Sequence, residues 1–395
     1  MIERKATLLF EYAFALLLFS LPFSLAIPNI ILLPLAVALI LKKQRIKQNK
    51  AVLSASALVV FLFVKAALLG SLSDNISVYK LLGLLVIVGV LVSAVSNRKI
   101  VVAGFILGVC AAVILSGWNI FSHYMATNSI PLGNSAEVSE LLLIHRPYFG
   151  FVCFLAVVFL FDLQKSASKK YKTAIVLLAG FLTLFTFFIV ARLSMMLLVI
   201  FLLVQAFLLF RNSNLKTRLL TAASIVIFGW VLVTNANIKE RFHINKSLDK
   251  TMTVAVNQEP RVVIWKCFFN YVNSGNTNHL MGIGNAKIIQ KQLNTCFANS
   301  ISNTSKKEYY LQVQFNTHNQ FFDLYLQGGI IAVLFFVGMF YFRIKCSALN
   351  TTNVFLIFGF LAFAAIENIF HRQLGVYLFG VFMFLNTNNL FQRKL

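Results

Sequence analysis

The sequence predicts an all-α polytopic membrane protein with about twelve transmembrane helices and one large helical loop outside the membrane. The first observation is composition: of 395 residues, 59% are hydrophobic, only 12% are charged and 41 are phenylalanine. A soluble domain contains about 45–50% apolar and about 25% charged residues, so no soluble core could bury this much apolar surface. The second observation is the spacing of the apolar runs, many of which have the length of a membrane-spanning helix.

Twelve apolar runs are candidate transmembrane helices. Their approximate centres are Leu17, Val37, Phe61, Ile87, Leu107, Ala156, Phe181, Ile200, Ile227, Leu334, Phe358 and Val381. The first two runs are separated by Pro22 and Pro28. The count predicts transmembrane helices one to nine over residues 1–235, an external loop subdomain over 236–318, and helices ten to twelve over 319–395.

The basic residues indicate the topology. With the N-terminus inside, the inner segments carry 20 lysines and arginines, whereas the short outer loops carry only four: Lys80, Arg146, Arg192 and Arg372. Cytoplasmic loops of membrane proteins show this excess. We therefore expect both termini in the cytoplasm and the long loop on the outer side of the membrane. The net charge of +23 is divided into short clusters between apolar runs, which argues against a nucleic-acid partner.

The long external loop contains an amphipathic stretch, "EPRVVIWKCFFNYVN", that predicts a helix beginning at Pro260 and ending before Gly275. Four of its apolar residues would share one face: Ile264, Trp265, Phe268 and Val272. That face could lie on the bilayer or on other helices. Cys267 and Cys296 share the loop, and the sequence leaves open whether they form a disulfide.

Motifs for a metal or a nucleotide are missing from the sequence. The 12 acidic residues form no Asp-x-Asp or Asp-x-Glu pair, and there is no His-Glu-x-x-His, Cys-x-x-Cys, Walker loop or Gly-x-Gly-x-x-Gly. We therefore expect neither a metal nor another cofactor. Arginines and a histidine without metal ligands fit an anionic substrate whose leaving group is neutralised by guanidinium.

Three residues are the strongest candidates for catalysis, and all lie on the predicted outer side. Arg192 interrupts "FTFFIVARLSMMLLVIF", where two helices meet with almost no loop, and a guanidinium there is costly unless it snorkels, pairs or binds an anion. Arg261 lies in the first turn of the amphipathic helix, where backbone N–H groups favour anions. His318 lies in "QFNTHNQFFDLYLQGG", directly before a membrane segment. The competing interpretations are a snorkelling arginine, a solvated charge and an interfacial histidine.

Further candidates for substrate binding surround these three. The segment "HRPYFGF" contributes His145 and Arg146 before a membrane entry, and "ENIFHRQ" contributes three residues at an outer helix end: Glu367, His371 and Arg372. Asn319, next to His318, is a further candidate. For the His145 and Glu367 segments, an ordinary interfacial belt is the competing interpretation.

The motifs together resemble the bacterial O-antigen ligase and polymerase family. The resemblance rests on "ARLSMMLLVIF", "EPRVVIWKCFFNYV" leading to "HLMGIGNA", and "THNQFFDLYLQGG", and covers about residues 175–340. Ligases of this family show an arginine at a tight outer turn, an arginine in the large loop, and a His-Asn pair followed by glycine. These features correspond to Arg192, Arg261, His318 with Asn319, and Gly329. The resemblance implies that Asn319 orients the imidazole ring or binds sugar.

The resemblance implies a fold similar to the GT-C membrane glycosyltransferases and an inverting reaction without metal or nucleotide. Such enzymes take a glycan from undecaprenyl pyrophosphate on the periplasmic face. Ligases pass the glycan to lipid A–core oligosaccharide, and polymerases pass it to another lipid-linked repeat. The expected function is therefore an O-antigen ligase, with membrane lipids, the lipid-linked donor and lipid A–core as partners.

Three alternatives stay open. A polysaccharide polymerase would use the same donor chemistry with a different acceptor, and the single large late loop favours a ligase over it. A lipid or glycan transporter would also be polytopic, but such proteins usually show internal repeats or charged residues near mid-membrane. A non-catalytic membrane scaffold would have no reason to carry the arginines and His318 in this order.

Overall fold

The computed structural model describes residues 2–42, 48–129, 140–211, 259–275 and 278–385, together with isolated residues at 138, 214, 215 and 218. Every regular element in this part of the chain is a helix. The first eight are α1 (Ile2–Ser20), α2 (Ala26–Lys42), α3 (Lys50–Leu68), α4 (Ile76–Ser93), α5 (Arg98–Thr127), α6 (Arg146–Ser166), α7 (Lys169–Phe188) and α8 (Arg192–Arg211). Six follow: α9 (Pro260–Asn273), α10 (Ala286–Ser300), α11 (Thr304–Val313), α12 (Gln320–Cys346), α13 (Thr351–Ile366) and α14 (Gln373–Phe384).

The predicted class, an all-α polytopic membrane protein, is confirmed. Seven helices in the described ranges are long and apolar enough to cross a membrane: α3, α4 with the short turn before it, α5, α6, α7, α8 and α12. Shorter apolar helices are α2, α13 and α14. Eleven of the twelve predicted centres fall within described helices, whereas the one at Ile227 lies outside the described residues. The total of about twelve spans stays a prediction.

Helix packing divides the chain into two units. The first unit comprises Met1–Glu11, Leu32–Arg98 and Val256–Asn388. The second comprises Tyr12–Ile31, Lys99–Ala255 and Asn389–Leu395. In the second unit α5 packs closely on α1, since a Cβ on Gly104 would lie 2.4 Å from the carbonyl oxygen of Ala15. The candidate residues are divided between the two units.

The amphipathic helix α9 packs on protein, which decides between the two environments that the sequence left open. Its buried residues Ile264, Cys267 and Phe268 share a core with α10, α11 and the start of α12. The Phe268 and Phe322 rings stack with centroids 4.0 Å apart, so α9 is fixed against α12. Cys267 and Cys296 form a disulfide with their Cα atoms 5.7 Å apart, which links α9 to α10.

Helix α12 is interrupted at Gly328 and Gly329, where the backbone leaves helical geometry. The loop before α10 fills the break: Ile283 N–H donates to the Leu326 oxygen at 2.7 Å, and Ile330 N–H donates to the His279 oxygen at 3.0 Å. Broken helices are tolerated at membrane depth where protein satisfies the freed backbone groups. Two separate sequence motifs, "HLMGIGNA" and "LYLQGG", therefore form one structural feature.

Lys65 of α3 binds the backbone on both sides of the contact between α12 and the loop. Its Nζ donates to the carbonyl oxygens of Met281 and of Gln327, the latter at 2.9 Å. Lys65 is only 5% exposed, so its charge is placed among carbonyl dipoles at the end of the first half of α12. The arrangement fixes α12, the loop and α3 to one another directly behind the first turns of α12.

We expect Gly329→Ala to destabilise the first unit by at least about 3 kcal/mol, because it combines a strained backbone with overpacking. Gly329 has φ +62°, and a Cβ there would lie 2.2 Å from the Leu280 carbonyl oxygen. The matched control is Gly83→Ala in α4, where a Cβ would meet nothing within 4 Å. Thermal unfolding in detergent should show a lower midpoint for the first variant only; equal midpoints would contradict the interlocked break.

Candidate functional site

Three of the sequence candidates meet in the first unit. Glu367, directly after α13, accepts a hydrogen bond from Arg261 Nη2 to its Oε1 at 2.6 Å. Its Oε2 lies 3.5 Å from Nδ1 of His318. Arg261 also donates from Nη1 to Glu259 Oε1 at 2.8 Å and from Nε to the Ile366 oxygen at 3.0 Å. We call Arg261, Glu259, Glu367 and His318 the Arg–Glu–His cluster.

The Arg–Glu–His cluster combines one guanidinium with two carboxylates and one imidazole. The Arg261 guanidinium faces two carboxylates, so the cluster carries one net negative charge when His318 is neutral. The Glu367 side chain is 9% exposed and that of Glu259 is 22% exposed. Glu367 therefore interacts with the arginine and the imidazole in the drier environment, where electrostatic interactions are stronger.

The backbone around His318 is held in an uncommon conformation. His318 has φ +45°, in the left-handed region that non-glycine residues rarely adopt. Its N–H donates to Asn316 Oδ1 at 3.0 Å, and the preceding carbonyl oxygen, of Thr317, accepts from Trp265 Nε1 at 3.1 Å. Strained backbone of this kind persists where its surroundings fix it, and such residues concentrate at functional sites.

Asn319 connects the His318 segment to the end of α13. Its Oδ1 accepts from the N–H groups of Phe321 and Phe322 at 2.9 and 3.1 Å, which makes Asn319 the N-cap of α12. Its Nδ2 donates to the Ala365 oxygen at 2.8 Å, and its backbone N–H donates to Asn368 Oδ1 at 2.6 Å. The amide thus positions His318 against Glu367 through the backbone, while sugar binding by Asn319 stays a prediction.

A second carboxylate–imidazole pair lies beside the first. His371 Nε2 is 3.0 Å from Asp323 Oδ2, and the neighbouring Gln320 accepts at Oε1 from the Phe370 N–H at 2.8 Å. Burial opposes a charge on His371, but the attraction of the Asp323 carboxylate and its hydrogen bond outweigh this and raise the pKa of His371. Arg372, the next residue, is exposed at the start of α14.

The raised pKa of His371 makes stability depend on pH. A charged His371–Asp323 pair stabilises the fold fully below the unfolded pKa, about 6.5, and this contribution is lost as pH rises through the higher folded pKa. We expect the thermal midpoint in detergent to fall by a few degrees across that interval. His371→Gln should remove this component of the pH dependence, and its persistence in the variant would assign the effect to another group.

The remaining arginine candidates lie together in the second unit. Arg192 is the first residue of α8, separated from α7 only by residues 189–191, which confirms the tight turn between these helices. Arg146 is the first helical residue of α6, after its N-cap His145, and is 4% exposed. A Cβ on Gly150 would lie 2.4 Å from the Ala191 Cβ, so the beginnings of α6 and α8 are in contact. Each of these adjacent helix starts opens with an arginine.

A cleft lies between α9 and α10 in the first unit, and the described residues that line it include no charged side chain. It has a volume of about 370 Å³, and its floor includes the disulfide, Phe268 and Leu293. Its lining supplies amides and hydroxyls from Asn270, Tyr271, Ser274, Gln292, Thr295, Asn299 and Ser300. The Lys266, Lys287 and Lys291 side chains belong to the same two helices but do not line it. An uncharged polar surface of this kind suits groups that both donate and accept hydrogen bonds.

Part of the chain matches a known protein family. The family model described as O-Antigen ligase matches residues 174–337. This stretch of the chain is therefore similar to the O-antigen ligase family. This family comprises ligase- and polymerase-type glycosyltransferases. The match includes Arg192, Arg261 and His318, and it ends before Glu367. No individually curated protein shows significant similarity to the chain.

The stretch that matches the family model contains only part of the Arg–Glu–His cluster, because Glu367 lies beyond it. Every member of the Arg–Glu–His cluster except Glu259 was a candidate from the sequence. No sequence feature indicated that Arg261 and Glu367 meet. It also missed the supports of the cluster, which are Trp265, Thr317 and Asn368. Asn368 could have been suspected, since it follows Glu367 and a buried asparagine at a helix end usually satisfies backbone groups.

Proposed function

We propose that the chain is an O-antigen ligase: a metal-independent, inverting glycosyltransferase that moves a glycan from undecaprenyl pyrophosphate to lipid A–core oligosaccharide on the periplasmic face of the inner membrane. The family of residues 174–337 supports this reaction class. The observation that carries the proposal is the His318 imidazole, 3.5 Å from a carboxylate that Arg261 holds in place. Hydrogen bonds at catalytic sites are often long before substrate binds.

In the proposed reaction, an acceptor hydroxyl oxygen attacks the anomeric carbon of the donor sugar. The bond between that carbon and the pyrophosphate oxygen breaks, and its electron pair leaves with undecaprenyl pyrophosphate. The hydroxyl proton passes to His318 at Nε2, the ring nitrogen that does not face Glu367. Glu367 stabilises the imidazolium that forms, as a carboxylate does for an imidazole base in other enzymes. Attack opposite the leaving group inverts the anomeric carbon.

The arginines have different tasks in this proposal. Arg261 fixes Glu367 through Nη2, while its Nη1 edge, held by the more exposed Glu259, is where a pyrophosphate oxygen could replace a carboxylate oxygen. Arg192, with Arg146 at the neighbouring helix start, is proposed to bind pyrophosphate and stabilise the charge that develops on it. His145, His371 and Arg372 are proposed to contribute to substrate binding.

The uncharged cleft is proposed to bind the sugars of the glycan. Asn270, at its edge, lies nine residues after Arg261 on α9, which corresponds to roughly 13 Å along the helix axis. Sugars that lie a few units away from the reacting carbon would therefore reach the amides of the cleft. Each amide offers two donors and an acceptor, which matches sugar hydroxyls.

The proposed function is tested with purified protein in detergent, chelator and a synthetic undecaprenyl-pyrophosphate glycan. Lipid A–core oligosaccharide and a second lipid-linked glycan are offered as acceptors in separate reactions. Transfer to lipid A–core that survives chelation and is lost in Arg192→Gln supports the ligase. Growth of the lipid-linked chain would instead identify a polymerase, and bound donor without transfer to either acceptor would overturn the catalytic proposal in favour of transport.

A further inference from the structure

A cavity of about 270 Å³ lies at the end of the first unit opposite the Arg–Glu–His cluster. Helices α12 and α14 both begin beside the cluster and end at this cavity, which Arg343, Cys346 and Leu385 line. The 27 residues of α12 correspond to roughly 40 Å at the rise of a helix, so the cavity and the cluster lie at opposite ends of a membrane span.

Three cationic side chains line the cavity, and they come from three helices: Lys50 of α3, Arg98 of α5 and Arg343 of α12. Its lining among the described residues contains no aspartate or glutamate. Like charges brought together in a partly dry cavity repel one another. An anion bound among them is attracted to each cation, and this attraction offsets the repulsion. The cavity is therefore electrostatically suited to an anion.

The guanidinium of Arg343 is fixed in place rather than mobile. It is 4% exposed, and it donates from Nη1 to the Leu385 oxygen at 2.5 Å and from Nη2 to Asn353 Oδ1 at 3.1 Å. Both of these acceptors are neutral, and they orient the guanidinium. A positively charged wall of defined geometry results.

Glu11 binds the backbone groups that directly precede Arg98 in the sequence. Glu11 Oε1 accepts from the N–H groups of Ser96 and Asn97 at 2.7 and 3.1 Å, and it lies 3.9 Å from Lys42 Nζ. Glu11 is not part of the cavity wall.

The remaining lining indicates what kind of anion fits. Lys50 and Arg98 are the first residues of α3 and α5, and helix N-termini favour phosphate through their backbone N–H groups. Phe342, Met383 and Phe384 supply an apolar wall beside these charges. Basic cavities between transmembrane helices at a membrane surface bind lipid headgroups.

We propose that this cavity is a phosphate-binding site, separate from the site of glycosyl transfer, that accepts the phosphate of an anionic phospholipid headgroup or of a soluble phosphate. The two sources share the chemistry of a phosphate among Lys50, Arg98 and Arg343. The apolar wall favours the phospholipid. Phosphate binding at this site does not depend on the proposed enzymatic function.

Cys346 offers a direct measurement of occupancy, because it lines the cavity and is exposed. Cys267 and Cys296 form a disulfide and Cys153 is buried, so a Cys110→Ser background leaves Cys346 as the accessible thiol. The full-length protein is placed in nanodiscs of phosphatidylcholine alone, or with phosphatidylglycerol, or with phosphatidylcholine and inorganic phosphate. The rate of Cys346 modification by an uncharged maleimide is measured in each.

Phosphatidylglycerol present at about ten times its dissociation constant should slow the modification about tenfold. Arg98→Gln should abolish this protection, whereas Lys99→Gln, which removes the same charge from the adjacent exposed residue outside the cavity lining, should keep it. Protection by inorganic phosphate alone would assign the site to a soluble phosphate. Equal rates in all three discs, or an equal loss of protection in both variants, would overturn the proposal.

Discussion

Replacing His318 with asparagine is expected to lower kcat for glycan transfer about 10²–10⁴-fold, the contribution that a positioned general base makes. Asparagine tolerates the left-handed backbone that His318 adopts, at φ +45°, so the variant removes the imidazole without adding backbone strain. Donor binding should stay within about twofold of wild type, since the lost interaction acts only in the transition state. Initial rates and binding of the lipid-linked donor measure the two effects.

His123→Asn is the matched control for this variant, because His123 lies on α5 in the second unit and belongs to neither carboxylate–imidazole pair. It should keep kcat near the wild-type value. Monodisperse elution of both proteins would show that they are folded. A His318→Asn enzyme that keeps more than a tenth of the wild-type kcat would remove His318 from the proton transfer.

Glu367→Gln is expected to lower kcat about 10²-fold, because the imidazolium that forms at His318 loses the charge that stabilises it. Glutamine has the same shape and can still accept from Arg261 Nη2, which now holds Glu367 at 2.6 Å. The variant therefore tests the charge of Glu367 rather than the packing of the site. Steady-state rates with saturating donor are the measurement.

Glu259→Gln provides the comparison, since Glu259 binds the same guanidinium at 2.8 Å but is the more exposed of the two carboxylates. We expect it to change kcat less than about fivefold, as for partly exposed ion pairs. We also expect Glu259→Gln to strengthen donor binding, because it removes the carboxylate charge that competes for the Nη1 edge of Arg261. Equal losses of kcat in both variants would mean that Arg261 and its carboxylates only maintain the fold.

The apolar helices were predictable because the thickness of the bilayer sets their length and its apolar interior sets their composition. The centres at Phe61, Ala156 and Leu334 fall inside α3, α6 and α12, and the turn at Arg192 is as tight as "FIVARLS" indicated. The packing face of α9 was also predictable, since Ile264 and Phe268 recur with the period of a helix. Only the environment of that face had to come from the structure.

The assembly of the site was not predictable from a single sequence. Arg261 and Glu367 are separated by 106 positions, and no local pattern indicates that their side chains meet. The supports of His318 include a backbone oxygen that accepts from Trp265, an interaction that any residue at 317 could make. The break in α12 had a local sign, Gly328 with Gly329 in an apolar run, but its partner at 278–284 is visible only in the fold.

The pH dependence of kcat/KM between pH 5 and 8 tests the central claim most directly, because it asks whether an imidazole must be neutral for transfer. The claim is that His318, held against Glu367, accepts the acceptor proton. It predicts that wild-type kcat/KM falls on the acid side of this range, where imidazole takes up a proton, and that the residual activity of His318→Asn shows no such fall. The same acid limb in His318→Asn, or a flat wild-type profile, would contradict it.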